Sequence, residues 1–161
     1  MSREYVVSAG GITLANAAVT LIFINPGTTA SLEMLRAWAS QSANATSAQQ
    51  RVQTNTQVTA FPTLTSTTPA KLKISDPVSA ITGATNGAAG TAGTNASAEG
   101  AGTKTVVHQD AFNVLNGHLW VPTPPETMIM NAGSASGWGY HFPAAALTLT
   151  NWACGLVFRE L

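Results

Sequence analysis

The feature that most limits what this chain can become is a succession of short β-branched and aromatic runs, each closed by proline, glycine or asparagine. Val19 to Ile24 is the clearest. It ends at Asn25-Pro26-Gly27, a turn signature in which proline fixes φ and glycine accepts positive φ. Arg3 to Ser8 carries Tyr-Val-Val, and Lys71-Leu72-Lys73-Ile74 alternates polar with apolar, as a half-buried strand does. Lys104 to Val114, His118 to Val121, Thr127 to Met130, Gly137 to Phe142 and Asn151 to Phe158 complete the series. Pro122, Pro124, Pro125 and Pro143 separate them. Short strands at near-regular spacing predict an all-β fold, a single antiparallel β-sandwich of roughly eight to ten strands. With 161 residues the chain fits one domain, residues 1–161, large enough to bury a core without disulfide or metal staples.

Three stretches resist this pattern. Ser31 to Gln41 (SLEMLRAWASQ) has helix propensity, and Thr28 or Thr29 offers a cap. Read with period two, Leu32, Met34 and Trp38 share a face interrupted by Arg36, while Leu35, Ala37 and Ala39 share the other. Ala43 to Thr68 is rich in Ser, Thr, Asn and Gln, with Val52 and Val58 as sparse anchors, and reads as a long polar strand plus a loop. Gly83 to Thr103 is Gly/Ala/Thr-rich and has no large apolar side chain. It cannot offset its own ordering entropy, so residues 83–103 are expected to form a long low-complexity loop within the domain. A loop of this length is usually functional or disordered; deleting residues 84–102 is expected to leave the domain folded, and in an assembly the loop is expected to order by lying across a neighbour.

Charge narrows the function. Only 9% of residues are charged, and seven basic side chains cancel seven acidic ones. From Ala37 to Ala70 the only charge is Arg51. Isolated soluble domains ordinarily rely on a mixed charged surface. A chain this poor in ions is expected to have much of its surface covered by companions. Direct nucleic-acid binding is not expected, because neutralising phosphates takes a Lys/Arg stripe and Lys71 with Lys73 is the only close basic pair. No secretory signal is expected, since Arg3-Glu4 is not a basic leader and Tyr5 to Leu14 is broken by Ser8, Gly10 and Gly11. No run approaches bilayer-spanning length, so no membrane role is expected.

Catalytic motifs fail on inspection, and the chain is read as a non-enzyme. Gly133-Ser134-Ala135-Ser136-Gly137 has alanine where a nucleophile elbow needs serine. Gly102-Thr103-Lys104-Thr105 misses a phosphate loop by an inserted threonine. His108 and Asp110 would share a strand face and form half a metal site, but polar groups on a solvated strand need no ion. Neither cofactor nor metal is expected. Cys154, the single cysteine, lies in an apolar run and reads as a small buried hydrophobe. Asn44-Ala45-Thr46 and Asn95-Ala96-Ser97 match the glycosylation pattern by accident of composition. Trp38, Trp120, Trp138, Tyr140 and Trp152 suit core or subunit contacts, with a sugar platform as the rival use.

Three of these stretches together carry a resemblance. They are Gly137-Trp138-Gly139-Tyr140-His141-Phe142-Pro143, the terminal Leu156-Val157-Phe158-Arg159-Glu160-Leu161, and Ser31 to Ala39 with the Ser/Thr/Asn-rich stretch that follows. The chain resembles small jelly-roll-like virion proteins encoded among tailed-phage head and tail genes. The resemblance implies a two-sheet sandwich, with Ser31 to Gln41 as a strand, no catalytic residues and a place on the virion after synthesis in the bacterial host cytoplasm. It further implies a capsid decoration, or cement, protein: a homotrimer that bridges and stabilises major capsid subunits. A tail, neck, fibre or baseplate component and a lectin-like carbohydrate-binding module are the alternatives. Interface residues expected on this reading are Arg3, Tyr5, Val7, Trp38, Trp120 and Trp138, with Arg3 to Val7 and the 83–103 loop facing the lattice.

Overall fold

A computed structural model describes residues 3–43 and 46–161. The Asn44 glycosylation match therefore lies outside the described residues. The fold is all-β: two antiparallel sheets packed face to face.

The eight strands that build the sandwich are best followed in pairs. β1 (Arg3–Ile12) lies in the first sheet and β2 (Val19–Asn25) in the second; β3 (Leu32–Gln41) returns to the first and β4 (Gln49–Val58) to the second. Four short or inserted strands follow: β5 (Thr63–Ser66), β6 (Ala70–Lys71), β7 (Thr82–Gly83) and β8 (Thr91–Ala98). Then come β9 (Thr103–Asn113), β10 (His118–Trp120), β11 (Ile129–Met130), β12 (Ser136–Phe142) and β13 (Trp152–Glu160). The first sheet runs β10-β3-β13-β1-β6, and the second runs β9-β4-β12-β2-β8-β5. Within them the row β10, β3, β13, β1 is matched one for one by β9, β4, β12, β2. Sequence neighbours thus occupy the same place in opposite sheets, which is the winding of a jelly roll.

Ser31 to Gln41 is a strand, not a helix. Leu32, Met34, Ala37 and Ala39 are buried, and the parity change between Met34 and Ala37 coincides with a bulge against Val157 and Phe158. Nine residues of β13 pair with it, and that long-range ladder overrides local helix propensity.

The expectation for residues 83–103 is corrected. Thr91 to Ala98 is a strand inside the second sheet, paired with β2 on one side and β5 on the other. Its small side chains are what the position requires: a Cβ on Gly93 would stand 2.7 Å from the Leu64 Cβ and 2.9 Å from the Ala84 and Thr65 carbonyl oxygens. The strand contributes backbone pairing, while β2 supplies the apolar mass. The 71–74 expectation is also corrected. Ala70 and Lys71 pair with β1, and the Leu72 N–H still donates to the Glu4 carbonyl; the chain then turns, with Asp76 N–H donating to the Lys73 carbonyl, and leaves the Leu72 and Ile74 side chains exposed.

The segment 59–102, between β4 and β9, wraps one long side of the sandwich. It adds β6 to the edge of the first sheet and β8 with β5 to the edge of the second. It also covers the outer face of the second sheet, where the Phe23 ring packs on Phe61, 5.6 Å between centroids, and lies flat over Gly137. β2 is therefore buried on both faces over all seven residues, which explains its apolar run Leu21 to Ile24, while buried Thr20 and Asn25 are hydrogen-bonded. Buried Glu160 pins the segment, accepting from Ser79 Oγ at 2.6 Å and Ala80 N–H at 2.9 Å. Glu99 pins its far end. Its carboxylate accepts from Thr20 N–H and Oγ1 at 2.5 and 2.7 Å and pairs with Lys104. His141 lies alongside, its Nδ1 3.2 Å from Thr20 Oγ1 and 3.4 Å from the Glu99 carboxylate.

Candidate functional site

The opposite long side of the sandwich has no such cover. β9 and β10 end their sheets there, and between them lies a groove of about 420 Å³. β9 supplies Val107, His108 and Asp110; β10 and the proline-rich segment after it supply His118, Leu119, Trp120, Val121 and Glu126. His108 and Asp110 share this face as their spacing suggested, but the partner that Asp110 finds is His118, at 3.4 Å.

His118 joins the groove to the core. Its Nε2 faces Asp110, and its Nδ1 is hydrogen-bonded to the Tyr140 hydroxyl. Burial pushes the His118 pKa down, against a smaller upward pull from Asp110. A neutral ring donating from Nε2 and accepting at Nδ1 satisfies both neighbours. Asp110 is held below the usual carboxylate range, first by the Ala111 N–H at 2.7 Å and then by His118. Burial pushes the Tyr140 phenol strongly upward. Carboxylate, imidazole and phenol thus form a chain, but it ends on a hydroxyl that is fully buried and resists ionisation. It holds the two sheet edges together. Among the described residues no group of three or more His, Cys, Asp or Glu is placed to hold a metal ion.

Aromatic stacking continues the link inward. Trp120 lies 5.6 Å from Trp138, which stacks on Tyr140 at 6.2 Å with nearly parallel rings. Of the residues expected at an interface, Trp120 alone lines this groove, half-buried. Trp138 is wholly in the core. So are Tyr5 and Val7: β1 alternates, so Glu4, Val6 and Ser8 face out while Tyr5 and Val7 face in, with Tyr5 stacked on Phe158 at 5.7 Å. These three side chains are interior and offer nothing to a partner. Arg3 is exposed at the start of β1. Trp38 lies on the outer face of the first sheet, flat over Gly155, where any Cβ would fall within 1.9 Å of the indole. The Arg36 guanidinium sits 5.8 Å from its ring centre.

The residues that sequence reasoning missed are the exposed aliphatic ones: Val106, Val107, Leu119 and Val121 on this side. Their signal was present but ambiguous, since an apolar residue in a strand ordinarily reads as core. Cys154 is buried and free, and burial pushes its thiol up to about 12.

Fold and site together define a jelly-roll β-sandwich with one sealed and one open side. No family model, curated protein or solved structure matches the chain.

Proposed function

We propose that this protein is a structural virion protein of a tailed bacteriophage, a capsid decoration protein that associates with itself and bridges major capsid subunits. The observation that carries this reading is the open side. A chain with so few charges exposes Val106, Val107, Leu119 and Val121 along this one edge, beside a shallow groove whose imidazole and phenol serve as braces. Apolar surface gathered in this way marks a contact site. The driving force is burial of that surface, roughly 25 cal/mol per Å². Repetition over a lattice would turn many modest contacts into lasting attachment. The resemblance noted above supplies the phage assignment.

The test is quantitative composition of purified particles. A copy number comparable to that of the capsid subunit is expected, with loss of particle stability when the protein is stripped away. A handful of copies would move the protein to the tail, neck, fibre or baseplate. Absence from particles would end the virion reading. A lectin-like role draws on one observation, Trp120 beside the Asp110 and Glu126 carboxylates in the groove. Glycan-array binding abolished by Trp120→Ala would establish that alternative.

A further inference from the structure

Two groups of exposed aliphatic side chains lie on opposite sides of the molecule. One is the groove side just described. The other is the turn after β6, where Leu72, Ile74 and Val78 project. Ile74 is 96% exposed, which is close to the limit for a side chain in a folded protein. Charge divides the same way. The turn carries Lys71 and Lys73, neither in an ion pair among the described residues, and one half-buried acid, Asp76. The groove lining carries Asp110 and Glu126 and no lysine or arginine. A cationic, aliphatic projection and an acidic, aliphatic recess thus sit on one chain.

They cannot meet within that chain. β6 and β10 are the two ends of the first sheet, four strand spacings apart, roughly 19 Å at about 4.8 Å per strand. We propose that they meet between copies: the 71–78 turn of one protomer docks in the β9–β10 groove of the next, head to tail, and the repeated contact closes a ring. Contacts between unlike patches generate rings when the rotation closes and filaments when it does not. Simple strand pairing, β9 against β9 of a second copy, is the less suited geometry. Val106 pairs with Asn55 and His108 with Thr54, so Val107 is an extra residue that bulges the edge. A bulge blunts an edge against a regular ladder. It also puts Lys104 and Asp110, the two charged ends of the strand, on opposite faces, so a two-fold pairing would not match them. Docking by side chains needs no unbroken ladder.

This inference shares with the decoration reading only the premise of self-association, and it is tested on free protein, so either can fail alone. Mass in solution is measured by light scattering for the intact chain, for Ile74→Asp and for Val121→Asp. The intact chain should give three or more protomer masses, and each variant alone should be a monomer with unchanged circular dichroism. An equimolar mixture of the two variants retains one good turn and one good groove, so it should form a dimer and nothing larger. Should Val121→Asp fail to fold, Glu126→Lys takes its place. Lys73→Glu with Glu126→Lys in one chain should then restore the ring that each single change weakens. A monomeric intact chain, an intact ring in Ile74→Asp, or a mixture that stays monomeric would each overturn the proposal.

Discussion

The two long sides of this sandwich solve the same problem in opposite ways. On the β1/β2 side, more than forty residues between β4 and β9 cap both sheet edges and cover the outer face of one sheet. On the β9/β10 side the edges stay unpaired, and valines and leucines face solvent. Sheet edges invite pairing with other chains, so natural folds cover, bulge or charge them. Here one edge is covered by the chain itself. The other is only bulged, at Val107, and lightly charged. The contrast teaches how differently the two sides are built: the sealed side is braced by its own chain, and the open side leaves its edge uncovered for the contact proposed above.

The contrast would break most visibly if the sealing segment were dispensable. Deleting residues 84–102 removes β8 from the second sheet and the Glu99 anchor with it. The expected outcome is global loss of structure, seen as loss of protection in hydrogen exchange across β2 and β12. A folded deletion protein would refute the claim that this side maintains the fold. Next in size is Phe23→Ala. The ring is fully buried between the sheet and the segment, packed on Phe61 and Gly137, so a loss of about 3–5 kcal/mol in denaturant titration is expected.

Gly155→Ala probes the uncovered outer face of the first sheet. The new methyl would meet the Trp38 indole, and overpacking of this kind costs about 1–3 kcal/mol. Trp38 fluorescence should shift because the ring must lift away from the strand.

Acid should loosen the sealed side gradually. Burial, reinforced by the nearby Lys104 charge, pushes His141 down to about 4 in the fold, although Glu99 pulls the other way. The unfolded chain takes up that proton near pH 6.5. Between these values the unfolded state binds more protons, so this contribution to stability is complete above about pH 6.5 and declines as pH falls towards 4. A melting temperature that drops over that window, and drops less in His141→Gln, is the expected result. The smallest effect on stability belongs to the open side. Val107→Thr or Leu119→Ser should change the unfolding free energy by no more than about 0.5 kcal/mol, as surface changes do, while reducing self-association. A large stability loss there would mean that the side is not open.

The strand runs from Val19 to Ile24, Gly137 to Phe142 and Asn151 to Phe158 were legible because alternation, branching and turn residues agree there. Composition misled where it was read segment by segment. The 83–103 stretch lacks large side chains, yet Thr91 to Ala98 is ordered because neighbouring strands provide the burial it cannot. The 71–74 alternation suggested a half-buried strand, yet the chain turns away after Leu72. Tyr5, Val7 and Trp138 carry no mark in sequence that separates core from interface; only the pleat of β1 and β12 turns them inward.

What the sequence determined by itself is the class: strand-forming segments of one domain, a near absence of ions, and no assembled catalytic motif. Periodicity and propensity are local, so they can be read along the chain. What only the tertiary structure decided is which sides of the sandwich are shut, which aliphatic residues remain outside, and that Asp110, His118 and Tyr140 meet across the sheets. These depend on the winding of the roll, which brings β9 beside β10 and carries the 59–102 segment to the far edge, and no local pattern encodes that pairing.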